Sequence, residues 1–454
     1  MTNFIPSTRN ACFLFPPTLD DLVPPGHMVR FIVEAIEQTD LTNFTTMYAG
    51  KGAKAHHPAR LLAIMLYGYA NGVRSSRKLE KATYEQLPFI FAAAGTHPDH
   101  STLAEFRTRF REQLKSLFVD ILVLATEMKM LALGNIALDG SKIHANASRH
   151  SALSYGHIEK MEAKLKAEVD DIMAEAIKAD KDDKLAGVSL PEECKRREDL
   201  LAVMGQAKAE IKRRAEARFQ KEKAEYDEKV ASRAAKEAET GKKAGGKAPV
   251  EPIPGPRDSD QINLTDEESR IMHMPGGGFE QAYNVQAAVD MATMLVVAPN
   301  LTQAGNDKQQ IEPMLEILKA QSGALGMPAN IVADTGYFSA TNVAACEAAG
   351  VVPYIAVGRD KHHPDWRERH TEPKPLPENA SPAQKMAHTL KSKTGRAIYK
   401  VRKQTVEPVF GIIKSAMGFR QFSVRGLDKV AGEWTLVCLA WNLKRMASLR
   451  PKFG

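Results

Sequence analysis

The sequence predicts an α/β protein in which a mixed sheet is flanked by helices, preceded by an all-helical N-terminal region and interrupted by a charged helical hairpin. Three observations predict it. Up to residue 133 apolar residues recur at helical spacing, and from residue 282 short apolar runs alternate with helical patterns. Between them, 43 of the 100 residues 151–250 are charged, with the two signs almost cancelling. A length of 454 residues allows two to four domains at roughly 150 residues each, and 43% hydrophobic residues exclude wholesale disorder. No apolar run reaches the roughly 18 residues of a membrane helix; Asp120 and Lys129 interrupt the best one, residues 118–133. The N-terminus lacks a basic patch followed by an apolar core, so no secretion signal is expected. Cys12, Cys194, Cys346 and Cys438 lie far apart, which argues against a disulfide framework or zinc ribbon and for a reducing cytoplasm.

The N-terminal elements follow from local signals. Pro58 can open a helix with Leu61, Leu62, Met65 and Leu66 at helical spacing, and Asn71-Gly72 ends it. Ser75 or Ser76 can cap a second helix carrying Arg77, Lys78 and Lys81. A third is expected near Ser101-Thr102, with Leu103, Phe106, Phe110, Leu114 and Phe118 on one face. Paired helices with basic residues are compatible with DNA binding and equally with an ordinary α-domain. In residues 151–250, Ile158, Leu165 and Ile172 recur every seven residues, and Leu200, Met204, Ala207 and Ile211 form a second stripe after a break at Gly187 to Pro191. Two long helices in an antiparallel, coiled-coil-like hairpin are expected, followed by a flexible linker from Gly241 to Pro256.

The period then changes. Strands are expected at Asn135–Asp139, Ala282–Asp290, Met294–Pro299, Asn330–Asp334 and Val351–Ala356. A helix capped at Asn306-Asp307, with Ile311, Met314, Leu315 and Leu318 facing inward, precedes the fourth strand, and a short one, residues 340–349, follows it. Charge is uneven: residues 1–150 carry +3, 151–250 +1, 251–360 −9 and 361–454 +12. A basic tail beside an acidic stretch suits an enzyme that attracts a polyanion and handles it with metal ions.

Two strands end alike, with an apolar run, an aspartate and turn-forming residues: IALDGS around Asp139 and IVADTGY around Asp334. Ligands gather at the carboxyl ends of strands in open α/β sheets, so both aspartates are candidate site residues. From Val406 the chain reads as an amphipathic helix with Glu407 in its first turn and Lys414 two turns on; Tyr399, Arg402 and Lys403 lie just upstream. His97-Pro98-Asp99-His100 reads as a polar turn in preference to a metal site, and His144 as a lesser candidate for DNA or metal contact. Gly276-Gly277-Gly278 precedes a strand and fails the phosphate-loop context, and Trp434 and Trp441 read as core.

These segments resemble the DDE transposases of bacterial insertion sequences, which have an RNase-H-like, retroviral-integrase-like catalytic core. The resemblance covers most of the chain: the helical N-terminal region, ALDGSKIHANAS, QAYNVQAAVD, VADTGYFS, TVEPVFGIIK and the closing GLDKVAGEWTLVCLAWNLKRM. It implies an RNase-H-like mixed sheet whose first and fourth strands are parallel neighbours, and a catalytic, metal-holding triad of Asp139, Asp334 and Glu407. Its third motif runs Tyr, two residues, Arg, three residues, Glu, six residues, Lys. Tyr399 to Arg402 and Glu407 to Lys414 keep two intervals, but Arg402 comes one place early and Lys403 stands where the arginine is expected. Either a one-residue slip precedes the helix or Lys403 replaces the arginine.

The resemblance further implies an all-helical DNA-binding or dimerisation domain over residues 1–133, a catalytic domain over 134–150 and 261–454, and a hairpin insertion with linker over 151–260. DNA contacts are expected from Lys142, Tyr399, Arg402, Lys403, Lys414 and Arg420. Two Mg²⁺ (or Mn²⁺) ions about 3.5–4 Å apart, held by carboxylate oxygens, suit the cutting and joining of phosphodiesters. The expected partners are double-stranded DNA, as the element's terminal inverted repeats and its target, and further copies of the chain, with no membrane. The location is the bacterial cytoplasm, at the nucleoid when DNA is bound. The alternatives are a catalytically inactive DNA-binding descendant and a stand-alone nuclease on the same core.

Overall fold

The structure is a computed structural model and describes residues 18–48, 54–179, 190–241, 245–358, 371–377 and 379–453. By its contacts the chain divides into two compact units, Met1–Asn146 with Met272–Gly454, and Ala147–Ile271.

The first unit opens with helices α1 (Leu19–Leu22), α2 (Met28–Glu37), α3 (Thr42–Thr45), α4 (Pro58–Ala70), α5 (Ser76–Glu85), α6 (Leu87–Ala92), α7 (His100–Arg109) and α8 (Arg111–Glu127). Pro58 opens α4 as expected, where a missing N–H costs nothing. Asn71 ends it, followed by Gly72 at φ +79°. The third expected helix is in fact two. It begins one residue early, because the Asp99 carboxylate accepts from the Ser101 N–H at 2.7 Å. It breaks at Phe110, whose ψ of 33° is not helical. All five residues expected on its inner face are buried nonetheless.

Among the described residues six strands form one sheet: β1 (Asn135–His144), β4 (Arg270–His273), β5 (Phe279–Asp290), β6 (Val296–Thr302), β7 (Asn330–Ala333) and β8 (Val352–Ile355). The order is β4-β5-β1-β7-β8, with β6 pairing β5. β1 runs antiparallel to β5, from Ile136 opposite Asp290 to His144 opposite Ala282. It runs parallel to β7, from Asn135 opposite Asn330 to Leu138 opposite Ala333. The first strand does not stop at Asp139, as the sequence suggested. Its parallel pairing ends there, but the antiparallel ladder to β5 carries it on to His144. Gly277 and Gly278, at φ +87° and +80°, form the tight β4–β5 turn, closed by the Met274 N–H on the Gly278 carbonyl at 3.1 Å. β6 begins two residues late, because Met294 sits at φ +65° in the turn.

The remaining helices of this unit are α11 (Ile311–Ala320), α12 (Ser322–Leu325), α13 (Ala340–Ala348), α14 (Pro382–Lys391), α15 (Lys393–Lys400), α16 (Val406–Ser415) and α17 (Leu427–Phe453). α11 starts after Gln310 and not at Asn306-Asp307, because the Asp307 carboxylate is taken up by side chains of β5. α17 packs against α2, α4, α8 and β6. Its Trp434 and Trp441 are core residues whose indole N–H groups donate to the carbonyls of Gln286 at 3.2 Å and Met294 at 2.9 Å. Asn442 brackets Val296, accepting from its N–H and donating to its carbonyl, each at 2.8 Å.

The second unit holds β2 (Ala152–Ser154), β3 (Gln261–Asn263) and the helices α9 (Tyr155–Ala179) and α10 (Leu190–Thr240). Ile158, Leu165, Met204, Ala207, Ile211 and Ile262 make its core. Leu200, expected in that stripe, is exposed, and Leu201 packs there instead. Ion pairs tie the two helices: Arg197 to Glu168 at 2.9 Å and Lys208 to Glu162 at 2.9 Å. Most of the expected break before Pro191 lies outside the described residues. Residues 249–257 lie along α10, with Lys223 paired to Glu251 at 2.9 Å and Arg218 donating to the Gly255 carbonyl at 3.2 Å. No helix among the described residues is long and apolar enough to cross a membrane.

Candidate active site

Parallel register places the two aspartates. Leu138 lies opposite Ala333, and Asp139 and Asp334 are the next residue on each strand. Asp139 is largely buried; its Oδ1 accepts from the Gly140 N–H at 2.9 Å. Asp334 caps a 3-10 turn over Thr335–Tyr337, with Oδ1 accepting from the Gly336 N–H at 2.8 Å.

Glu407 arrives from a distant segment, as the second residue of α16, and its side chain is 49% exposed. Arg402, in the 3-10 turn Arg402–Gln404 between α15 and α16, joins it to the sheet. Its Nη1 lies 3.5 Å from Asp139 Oδ2 and its Nη2 3.3 Å from Glu407 Oε1. The guanidinium is 8% exposed, and its Nε has no hydrogen-bond partner among the described residues. Arg402 faces the carboxylates, whereas Lys403 is exposed. Tyr399 is half-buried on α15.

Burial pushes the Asp139 carboxyl up to about 6; Arg402 opposes the shift, and the nearby Asp334 and Asp307 reinforce it. Lys414 is a second cation within electrostatic reach of Asp139. Carboxylate oxygens are the ligand type that a hard divalent cation such as Mg²⁺ takes; among the described residues the group whose ligand atoms lie within 4.8 Å of one another is Glu80, Asp99 and His100. On the other side of Gly140, Lys414 donates from Nζ to Ser141 Oγ at 2.5 Å. Burial, then Arg420 and Lys142, lower its pKa, which makes these three cations one cluster beside β1. Arg420 donates from Nε to the Lys414 carbonyl at 3.1 Å.

Sequence reasoning missed Asp307, read there as a helix cap. Its Oδ1 accepts from Asn284 Nδ2 at 2.7 Å and Gln286 Nε2 at 2.6 Å. The Gln286 Oε1 in turn accepts from the Tyr337 hydroxyl. The available signal was the polar pair Asn284 and Gln286 inside a strand that is buried from Gln281 onward. His97 to Asp99 form the expected polar turn before α7, which Asp99 caps; His100, the first residue of α7, lies with Nδ1 2.8 Å from Glu80 Oε2. His144 joins the site's surroundings through its backbone, whose N–H donates to the Arg420 carbonyl at 3.1 Å.

Residues 17–109 match a transposase domain known as DUF772, and residues 365–447 match a transposase DDE domain. The second match spans Tyr399, Arg402, Glu407 and Lys414; Asp139 and Asp334 fall outside both. No curated protein and no solved structure matches the chain.

Proposed function

We propose, from the premise that the chain is a DDE transposase of an insertion sequence, that Asp139, Asp334 and Glu407 are its catalytic triad. They would hold two Mg²⁺ or Mn²⁺ ions for cleavage of the element's ends and strand transfer into target DNA. The observation that carries this reading is the pairing of β1 with β7, which sets Asp139 beside Asp334, together with the Arg402 bridge from Asp139 to Glu407. The same parallel pairing of β1 with β7 supports an RNase-H-like core.

Bound metal would supply activation of water or a DNA 3′-hydroxyl and neutralisation of the departing oxygen. The chain's own residues prepare that event. Arg402 holds Asp139 and Glu407 together across two elements and screens their repulsion. Lys414, tethered by the neutral Ser141, keeps its charge available for a phosphate, and Lys142 and Arg420 extend the cationic surface. Tyr399 and Lys403 complete the proposed DNA contacts. We assign the helices of residues 1–133 to DNA binding or dimerisation, and residues 151–260 to an inserted arm on the catalytic domain. The working assembly is a homo-oligomer on two DNA ends in the cytoplasm.

The test is a Mg²⁺-dependent cleavage and joining assay on duplexes carrying the DNA that flanks the gene. Asp139→Asn should abolish both steps while sparing DNA binding, because it removes a metal ligand and no cation. Cleavage without joining by the wild-type protein would identify a nuclease instead.

A further inference from the structure

We infer that Asp307 and Gln286 are positioning residues that set the spacing between the two aspartate-bearing segments, Asp139-Gly140 on β1 and the Asp334–Tyr337 turn; the inference rests on the proposed site and deepens it. Gln286 is fully buried on β5, directly opposite Gly140. Its Nε2 donates to Asp307 Oδ1 at 2.6 Å, and its Oε1 accepts from the Tyr337 hydroxyl. Asn284, two residues along the same face of β5, donates to the same Oδ1 at 2.7 Å. Asp307 Oδ1 accepts from both amides, so the NH₂ end of Gln286 faces it. The carbonyl end is thereby turned to Tyr337, whose hydroxyl must donate. Tyr337 is buried and closes the turn that Asp334 caps.

The other side of this chain meets the first aspartate. A Cβ added at Gly140 would lie 2.3 Å from Gln286 Nε2 and 2.5 Å from Asp307 Oδ1, so the pair packs against the backbone next to Asp139 with no room for a side chain. One hydrogen-bonded chain thus abuts β1 beside Asp139 and anchors the turn of Asp334. Asp307 Oδ1 is engaged by two amides, which gives the residue a supporting task independent of any contact with DNA.

The full-length protein would be titrated with Mn²⁺ alone by calorimetry and assayed for cleavage of duplexes carrying the gene's flanking DNA. The variants are Asp307→Ala, Asp307→Asn and Tyr337→Phe, with Asp334→Asn as reference. Asp307→Ala and Tyr337→Phe should each lower Mn²⁺ affinity and cleavage about 10- to 100-fold, the range for residues that orient metal ligands. Asp307→Asn, which retains an acceptor oxygen, should stay close to wild type. Equal damage from Asp307→Asn and Asp307→Ala would overturn the inference, because the charge itself would then be needed. So would wild-type behaviour of Asp307→Ala with Tyr337→Phe. If Asp307→Ala fails to fold by circular dichroism, Tyr337→Phe, which removes one oxygen, decides alone. An Asp334→Asn protein that still binds Mn²⁺ and cleaves would sink the site itself. Loss of both with Asp334→Asn, beside intact Asp307→Ala and Tyr337→Phe, would sink only the positioning role.

Discussion

Asp139, proposed as a catalytic residue, would trade stability for chemistry. Its carboxyl is raised from 3.8 to about 6, so the fold favours the protonated form. The metal-free protein should therefore lose stability as pH rises from about 4 through 6, since the ionised group is the disfavoured one. Asp139→Asn removes that penalty. In EDTA at pH 8 it should be more stable than wild type by on the order of 1–3 kcal/mol, with the difference vanishing near pH 4. Thermal melts at the two pH values check this, and an unchanged or lowered melting temperature at pH 8 would refute it. Lys414 gives a second test at this scale. Its hydrogen-bond partner is the hydroxyl of Ser141 and not a carboxylate of its own helix. Lys414→Ala should reduce the salt dependence of DNA affinity by about one unit of slope and depress cleavage, with no change in the preferred end sequence. Binding measured across a salt series reads both effects; an unaltered slope would make Lys414 a structural residue.

Elements were legible in proportion to how local their signals are. Pro58 and Asn71-Gly72 bound α4 as read, because proline and glycine act through their own backbone. Both apolar runs ending in aspartate are paired strands, since buried parallel neighbours leave a continuous apolar signature. The errors came from long-range partners. β1 outruns Asp139 because β5, well over a hundred residues away in sequence, keeps pairing with it. Asp307 does not cap α11 because buried amides on β5 compete for its carboxylate. The bridge by Arg402 depends on a 3-10 turn that no spacing rule reveals. At this scale the charged hairpin makes its own prediction. The core of Ala147–Ile271 is made by its own residues, Ile158, Leu165, Met204, Ala207, Ile211 and Ile262. Replacing 151–260 with a Gly/Ser linker should leave the thermal transition of the remaining chain in place. Collapse of that transition would show the hairpin to be integral to the core.

At the scale of the first unit, the two matched regions are far apart in sequence, 17–109 and 365–447, yet they share one core through α17. A buried polar knot marks where they meet. Glu433 on α17 is 1% exposed; its Oε1 accepts from the Tyr69 hydroxyl of α4 at 2.7 Å, and its Oε2 accepts from the Ser423 N–H at 2.8 Å. Arg107 of α7 donates to the Tyr69 hydroxyl at 3.0 Å and lies 3.7 Å from Glu433. The Ser423 segment in turn pairs with the end of β1, where the Phe422 N–H donates to the His144 carbonyl at 2.9 Å. Removing one partner of a buried pair leaves the other charge stranded, which costs about 3–5 kcal/mol. Glu433→Ala should therefore destabilise the N-terminal helices and the sheet together, because Arg107 and Ser423 lose the same carboxylate. Tyr69→Phe, which deletes one hydroxyl, should cost about 1–2 kcal/mol in the same transition. Denaturant unfolding of the chain with residues 151–260 replaced by the linker, followed in parallel by tryptophan fluorescence, to which Trp366, Trp434 and Trp441 contribute, and by far-ultraviolet circular dichroism, reads the outcome. Coincident curves shifted by the same amount in both signals are expected, since a shared core unfolds as a unit. Two separated transitions, with only one displaced by Glu433→Ala, would mean that the N-terminal helices fold independently of α17 and that the knot merely decorates their contact.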